Sequence, residues 1–369
     1  MEFKKNNLFQ FATSELSQDA MICWICNNYN FKSDNIKLYN LANEIIHLFL
    51  GDINININDN IRILRQFKNI DVLLVLNNKY AIIIEDKTYT SEHNNQINKY
   101  KNMLINKMHE EERKFNNLPI FKQEDIRTVY LKTGFHYPLD ELVKADHKMN
   151  GEELYNLLIK YENESEILDD YIVKLKFDLD RYKKIEDEYI QGKVESVLKH
   201  YYGQYLLLKD MFGQMNSFAH GSSYGRPWSN HVIEAIPYEN DIGGKNTSRY
   251  FSVFCRIDKN KNGYYASIRQ YDNKFDKKNI HMVNQKKDAF NKLRNIFNET
   301  CESIDKLKNE TSELRYKLGG NKGGYYESEF GVFFLGDKNN QIAIKEFVEI
   351  FHEFLPNFKS NLKKEFFYN

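Results

Sequence analysis

The sequence predicts a mixed α/β protein: a mixed central sheet flanked by helices, then a helical region, then a C-terminal α+β region. Three observations predict it. Two helical apolar patterns precede a pair of apolar strands, IDVLLVL and YAIIIEDK, joined by Asn77-Asn78-Lys79. A further helical pattern and the strand TVYLK follow within one domain length. Beyond residue 216 two strand runs form a hairpin before an amphipathic helix closes the chain. Helices alternating with strands argue for a sheet covered on both faces.

The first helix is predicted over Ser14 to Asn28, with Leu16, Ala20, Cys23, Trp24 and Asn27 on one side. Glu15 and Asp19 in its first turns suit the positive end of the helix dipole. Leu38, Leu41, Ala42, Ile45, Leu48 and Phe49 mark a second helix, which Gly51 ends. The alternation Ile53, Ile55, Ile57 predicts a strand, and Ile61 to Phe67 another. After the hairpin, Ile97, Tyr100 and Leu104 mark a polar helix, with His93, Gln96 and Tyr100 on a neighbouring stripe. Thr128 to Lys132 is a strand at the right distance to join the sheet. The stretch from Leu139 to Met215 reads as mostly helical and the Gly221–Trp228 region as a loop. RYFSVFCRID and GYYASIRQYD read as a hairpin, Gln285 to Glu302 and on to Lys317 as helical, YYESEFGVFFLG as a strand, and Gln341 to Phe358 as the closing helix. Three regions follow: residues 1–138, 139–215 and 216–369.

Bulk properties exclude several classes. The 52 Lys and Arg balance 52 Asp and Glu, so no global basic field draws the chain to nucleic acid, although a local basic cleft is compatible with that balance. The start carries no apolar core of signal-peptide length, and no apolar run reaches membrane-spanning length. A cytoplasmic protein is expected. Four cysteines do not suggest a disulfide framework in a chain of this size, and Cys23 and Cys26, with no second pair, read as helix residues rather than a zinc site. Gly-Gly-Asn-Lys-Gly-Gly lacks the Lys-Ser/Thr of a phosphate-binding loop, so no NTP hydrolysis is expected.

The hairpin carries the chemistry. A turn centred on Asn78 pairs Leu76 with Tyr80 and Leu73 with Ile83, and by the same register sets Asp71 opposite Glu85. Opposed residues have Cβ atoms roughly 5 Å apart, where two carboxylates repel. Lys87 shares their face and Asp86 points away. The strands are apolar on both sides, as in a covered sheet, so water does not readily solvate the acids. A divalent cation offsets them, and hard oxygen ligands suit magnesium.

An acid on one strand followed by acid-x-lysine on the next, here Asp71 then Glu85-Asp86-Lys87, resembles the PD-(D/E)XK nuclease superfamily. The resemblance covers roughly the first third of the chain. Glu15, in TSELSQDAMICW, resembles the superfamily's helix-borne acid, and Gln96 and Tyr100 resemble the Gln and Tyr that several branches carry after the lysine. The set is similar to a bacterial branch with ELSQDA and EHxxQxxxY motifs, some of whose relatives sit in phage-defence or mobile-element settings. Ile70 stands where the superfamily's name has proline.

The resemblance implies a restriction-endonuclease-like core and a metal-dependent nuclease acting on phosphodiester bonds, with DNA ahead of RNA. It implies Mg²⁺ or Mn²⁺ held by Asp71, Glu85 and the backbone carbonyl of Asp86, with Glu15 at a second ion or positioning the first. Lys87 then holds the attacking water or neutralises charge at phosphorus, and Gln96 orients substrate. His93, Tyr100, Lys99 and Arg269 are weaker substrate-binding candidates, the last flanked by Tyr264, Tyr265 and Tyr271. A homodimer, or a partner protein of a defence system, is compatible with the C-terminal half. The alternatives are an RNA-directed nuclease of the same mechanism and a non-catalytic nucleic-acid- or protein-binding module.

Overall fold

A computed structural model describes residues 6–53, 55–56, 61–88, 90, 95–106, 110–238, 249–308, 315–320, 325–335 and 344–367. The chain divides into two compact units, Met1–Tyr182 and Lys183–Asn369. The boundary lies inside the helix Glu166–Ile190, so the stretch 139–215 is shared between the units.

The first unit is built on a five-stranded sheet in sequence order: β1 (Arg62–Phe67), β2 (Ile70–Leu76), β3 (Tyr80–Lys87), β4 (Ile126–Lys132) and β5 (His147–Asn150). β1, β2 and β3 are antiparallel neighbours, whereas β3–β4 and β4–β5 are parallel, so the sheet is mixed. Helices cover both faces. Val72, Leu74, Leu76, Ile82 and Ile84 share one core cluster with residues of α1 (Glu15–Asn27) and α2 (Ile36–Leu50). Leu73, Val75, Ala81 and Ile83 share another with Tyr100 and Leu104 of α3 (Gln96–Ile105). Two-residue alternation thus sorts each strand between two layers.

Local chemistry sets the helix ends. The Ser14 hydroxyl accepts from Ser17 N at the start of α1, and Asn35 caps α2 by accepting from Lys37 N and Leu38 N. Gly51, at φ 63°, ends α2 in a conformation that costs a glycine little.

The buried side of α1 is not the side that its apolar spacing predicts. Leu16 is 54% exposed, while Gln18, Asp19, Met21, Ile22, Ile25 and Cys26 face inward. The two polar residues face inward because Gln18 bonds Asp86 of β3 and Asp19 bonds Gln66 of β1. The Ile53–Ile57 strand is not formed at residues 53, 55 and 56; Ile53 and Ile55 instead pack against the α1–α2 cluster, which accounts for their alternation without a ladder. Residues 54 and 57 lie outside the described residues.

The second unit holds a six-stranded antiparallel sheet in the order β10-β11-β9-β8-β7-β6. Its strands are β6 (Ala219–Ser223), β7 (Arg226–Pro237), β8 (Tyr250–Asn260), β9 (Gly263–Tyr271), β10 (Arg315–Leu318) and β11 (Glu327–Phe334). The helices Ile280–Ser303 and Ile344–Phe367 pack on it through Phe297, Phe330, Phe333 and Phe354, with Phe333 and Phe354 centroids 5.0 Å apart. The Gly221–Trp228 region is a hairpin rather than a loop: Tyr224 and Gly225, both at positive φ, turn β6 into β7. The helical reading to Lys317 is likewise corrected, since Arg315–Leu318 pairs with β11. Residues 321–324 of the glycine-rich segment lie outside the described residues.

Candidate active site

Asn77 and Asn78 adopt left-handed conformations, φ 51° and 49°, at the turn between β2 and β3. Lys79 N donates to the Leu76 carbonyl oxygen at 3.0 Å across them, and Lys79 is a third loop residue before the strands pair. The loop fixes the pairs Leu76↔Tyr80, Leu73↔Ile83 and Val72↔Ile84. Continued by one step, the register sets Asp71 opposite Glu85.

Lys87 ties the two together. Its Nζ lies 2.6 Å from Glu85 Oε1 and 3.4 Å from Asp71 Oδ2, and donates to the Asp86 carbonyl oxygen at 3.1 Å. Asp71 Oδ2 also accepts from Asp86 N at 2.9 Å. Glu85 is 1% exposed and Lys87 8%, so this is a charge cluster largely removed from water. Burial works against the ammonium of Lys87, but the Glu85 and Asp71 carboxylates outweigh it and hold its pKa above the ordinary lysine value.

Asp86 faces the other layer. Its Oδ1 accepts from Gln18 Nε2 of α1, whose Oε1 in turn accepts from Thr88 Oγ1 at 3.3 Å and Thr133 Oγ1 at 2.8 Å. Asp19, beside Gln18, is buried, and its Oδ2 accepts from Gln66 Nε2 of β1 at 2.8 Å. Burial and then the charge of Asp71 push the Asp19 pKa up to about 6. Burial and then the charge of Asp19 hold Asp86 well above the usual carboxylate range. Both shifts favour the protonated form of these buried acids. Glu15 Oε1 accepts from Thr88 N at 3.0 Å and from Thr90 Oγ1 at 3.2 Å, which anchors the chain just beyond Lys87.

On the opposite layer α3 brings Tyr100 to the acid cluster. Burial and then the Glu85 charge raise its hydroxyl pKa, and Gln96 Nε2 donates to that hydroxyl at 3.1 Å. Lys99 is exposed on the same helix. His93 lies outside the described residues. Arg269 lies in the second unit, where its guanidinium contacts Glu327 Oε1 at 2.6 Å and Glu329 Oε2 at 3.1 Å. Arg256 contacts Asp258 and stacks on Trp228, and Lys286, wholly buried, donates to Gln270 and Ser328. These three cations are engaged within their own unit.

Sequence reasoning passed over Lys132. The parallel register sets Lys132 beside Lys87 at the ends of β4 and β3. It is fully buried, donates to the Thr90 carbonyl and lies 4.8 Å from the Tyr137 ring centroid. Burial lowers its pKa to about 8, against the pull of Asp140. A lysine ending an apolar run on a strand parallel to the motif strand was the available signal. Gly134 was passed over too: a Cβ there would lie 1.8 Å from the Thr88 carbonyl oxygen, so the chain after β4 closes on the chain after β3.

Among the described residues no group of three or more His, Cys, Asp or Glu is disposed to hold a metal ion. Three oxygens do converge, however, from Asp71, Glu85 and the Asp86 carbonyl, and the positive charge at their focus is the ammonium of Lys87. All three are hard oxygen donors and two carry charge, which fits Mg²⁺ or Mn²⁺. Among the described residues no helix is long and apolar enough to cross a membrane.

A family model, that of the PD-(D/E)XK nuclease superfamily, matches residues 6–202, more than half of the 369. No curated protein and no solved structure matches the chain.

Proposed function

The chain belongs to the PD-(D/E)XK nuclease superfamily, and on that premise we propose that its first unit is a Mg²⁺- or Mn²⁺-dependent nuclease acting at Asp71, Glu85 and Lys87, with DNA as substrate. One observation carries the reading: the convergence of Asp71 Oδ2, Glu85 Oε1 and the Asp86 carbonyl oxygen on a single cationic atom at 3.4, 2.6 and 3.1 Å. A buried arrangement of this kind is costly unless something offsets the acids, and these oxygens are the ones that would hold the divalent ion.

Asp71 and Glu85, on adjacent strands whose register is set by the loop at Asn77-Asn78, would hold a divalent ion, which would supply Lewis-acid polarisation of a phosphate oxygen and the attacking water. Lys87, displaced from the acids, keeps its proton and supplies positive charge to the phosphate in the transition state. Glu15 positions the segment after β3 through Thr88 and Thr90; a direct role at a second ion would require it to leave those partners. Gln96, paired with Tyr100 over the acid cluster, orients substrate.

DNA rather than RNA, and a role in phage defence or mobile-element biology, are supported by the likeness of the ELSQDA and Gln96/Tyr100 patterns to one bacterial branch. A cytoplasmic setting belongs to the same reading, as does a C-terminal unit that binds substrate, pairs two copies or meets a partner protein.

The test is a cleavage panel of supercoiled plasmid, single-stranded DNA and RNA, each with Mg²⁺, Mn²⁺ or EDTA. Divalent-dependent cleavage of DNA is expected. Cleavage of RNA alone would move the substrate, and no cleavage in any arm would favour the non-catalytic binding module.

A further inference from the structure

Gln66 occupies the missing rung of the β1–β2 ladder, beside the acid cluster. The β1–β2 ladder pairs Arg65 with Val72 and Phe67 with Ile70, so the register sets Gln66 opposite Asp71. The pair is not formed, because the backbone of Gln66 is left-handed, φ 54°. The turn itself needs left-handed residues only at Lys68 and Asn69, at φ 50° and 68°. A third such residue, neither glycine nor asparagine, is uncommon, and such outliers cluster where function sustains them.

The conformation has a visible consequence. Gln66 Nε2 donates to Asp71 Oδ1 at 3.2 Å and to Asp19 Oδ2 at 2.8 Å. Asp71 Oδ2, the other oxygen, is the one that meets Lys87 Nζ and Asp86 N. One amide thus holds the carboxylate by its outer oxygen, leaving the inner one directed at the cation position. The same amide reaches Asp19, which is 1% exposed. Gln66 on β1 thus ties Asp71 on β2 to Asp19 on α1.

We propose that Gln66 is a positioning residue for the Asp71 carboxylate, and that its left-handed backbone persists because it aims the side-chain amide at Asp71 and Asp19. The inference rests on the nuclease reading above. Groups that orient a metal-binding carboxylate typically change metal affinity or activity by about 10- to 100-fold when removed.

The experiment is calorimetric titration of Mn²⁺ into the full chain as wild type, Gln66→Gly, Gln66→Asn and Asp71→Ala, with thermal midpoints measured alongside. Gln66→Gly relieves the backbone and deletes the amide; Gln66→Asn keeps a residue tolerant of that backbone but shortens the reach. Both are expected to weaken Mn²⁺ binding about tenfold. The midpoint of Gln66→Gly should equal or exceed that of wild type, a combination that a merely structural role would not produce. The Mn²⁺ concentration for half-maximal cleavage should rise by the same factor while KM for DNA holds. Wild-type Mn²⁺ affinity in both Gln66 variants, with binding lost in Asp71→Ala, would overturn this inference alone. Wild-type affinity in Asp71→Ala as well would overturn the metal-site reading beneath it. A Gln66→Gly affinity loss accompanied by a lower midpoint would assign Gln66 to the fold instead.

Discussion

Lys87 and Glu85, two residues apart on one strand, form an ion pair of 2.6 Å in which the glutamate is almost wholly buried. Strand alternation brings them to one face, and the ammonium offsets the two acids that the hairpin register crowds together. Lysine thus acts as an internal counter-ion in the metal-free protein.

Lys87→Ala should therefore lower the stability of the metal-free protein, since removing one partner of a buried ion pair typically costs about 3–5 kcal/mol. Mn²⁺ binding should survive and cleavage should not. Thermal midpoints with and without Mn²⁺ check this: the rise on adding metal should be larger in the variant than in wild type, because the ion replaces the missing charge. An equal rise in both would contradict the counter-ion role.

Asp86 separates stability from chemistry. Its side chain bonds Gln18 on the layer away from Lys87. Asp86→Ala leaves Gln18 short of a buried partner, at a cost of about 1–3 kcal/mol, while Asp86→Asn preserves shape and should cost less. Urea denaturation measures the difference. Cleavage per folded molecule should fall far less in Asp86→Ala than in Asp71→Ala.

The Asp19–Asp86 pair makes a signed pH prediction. The Asp19 pKa is raised from 3.8 to about 6, so the folded state holds a proton that the unfolded chain has released between those values. Its contribution to stability is fully present below about 3.8 and is lost as pH rises through about 6. Asp86, raised in the same direction, adds to the same slope. Asp19→Asn should flatten the fall in stability from pH 4 to 6, measured as thermal midpoint against pH; an unchanged slope would contradict the raised Asp19 pKa.

Gly134 tests the packing behind the site. A Cβ 1.8 Å from the Thr88 carbonyl forces backbone apart, and overpacking of this kind costs about 1–3 kcal/mol. Gly134→Ala should also displace Thr88 from Glu15 and Gln18, so cleavage should fall with stability. Wild-type values of both would show that the chain accommodates the methyl group.

Much of this was legible in the sequence, and what was not has physical causes. The β2–β3 hairpin was readable because its asparagine turn and apolar strands permit few registers. The inward side of α1 was misread because periodicity counts apolar residues, whereas Gln18 turns inward to bond Asp86 of β3 and Asp19 to bond Gln66 of β1. The isoleucine alternation at 53–57 signalled contact with the core rather than a ladder. β6 and β7 were hidden by glycine, proline and tryptophan that suggest a loop, although the turn needs only Tyr224 and Gly225. Gln66 was invisible because its role depends on a left-handed backbone that no glycine announces.

The most direct test of the central claim compares wild type with Asp71→Ala, matched for thermal midpoint, in plasmid cleavage with Mn²⁺ and with EDTA. The account predicts cleavage by wild type in Mn²⁺, none in EDTA, and a loss of at least about 10²-fold in Asp71→Ala, the scale of losing a main electrostatic contributor to catalysis. Equal cleavage by both proteins, or cleavage that persists in EDTA, would contradict it.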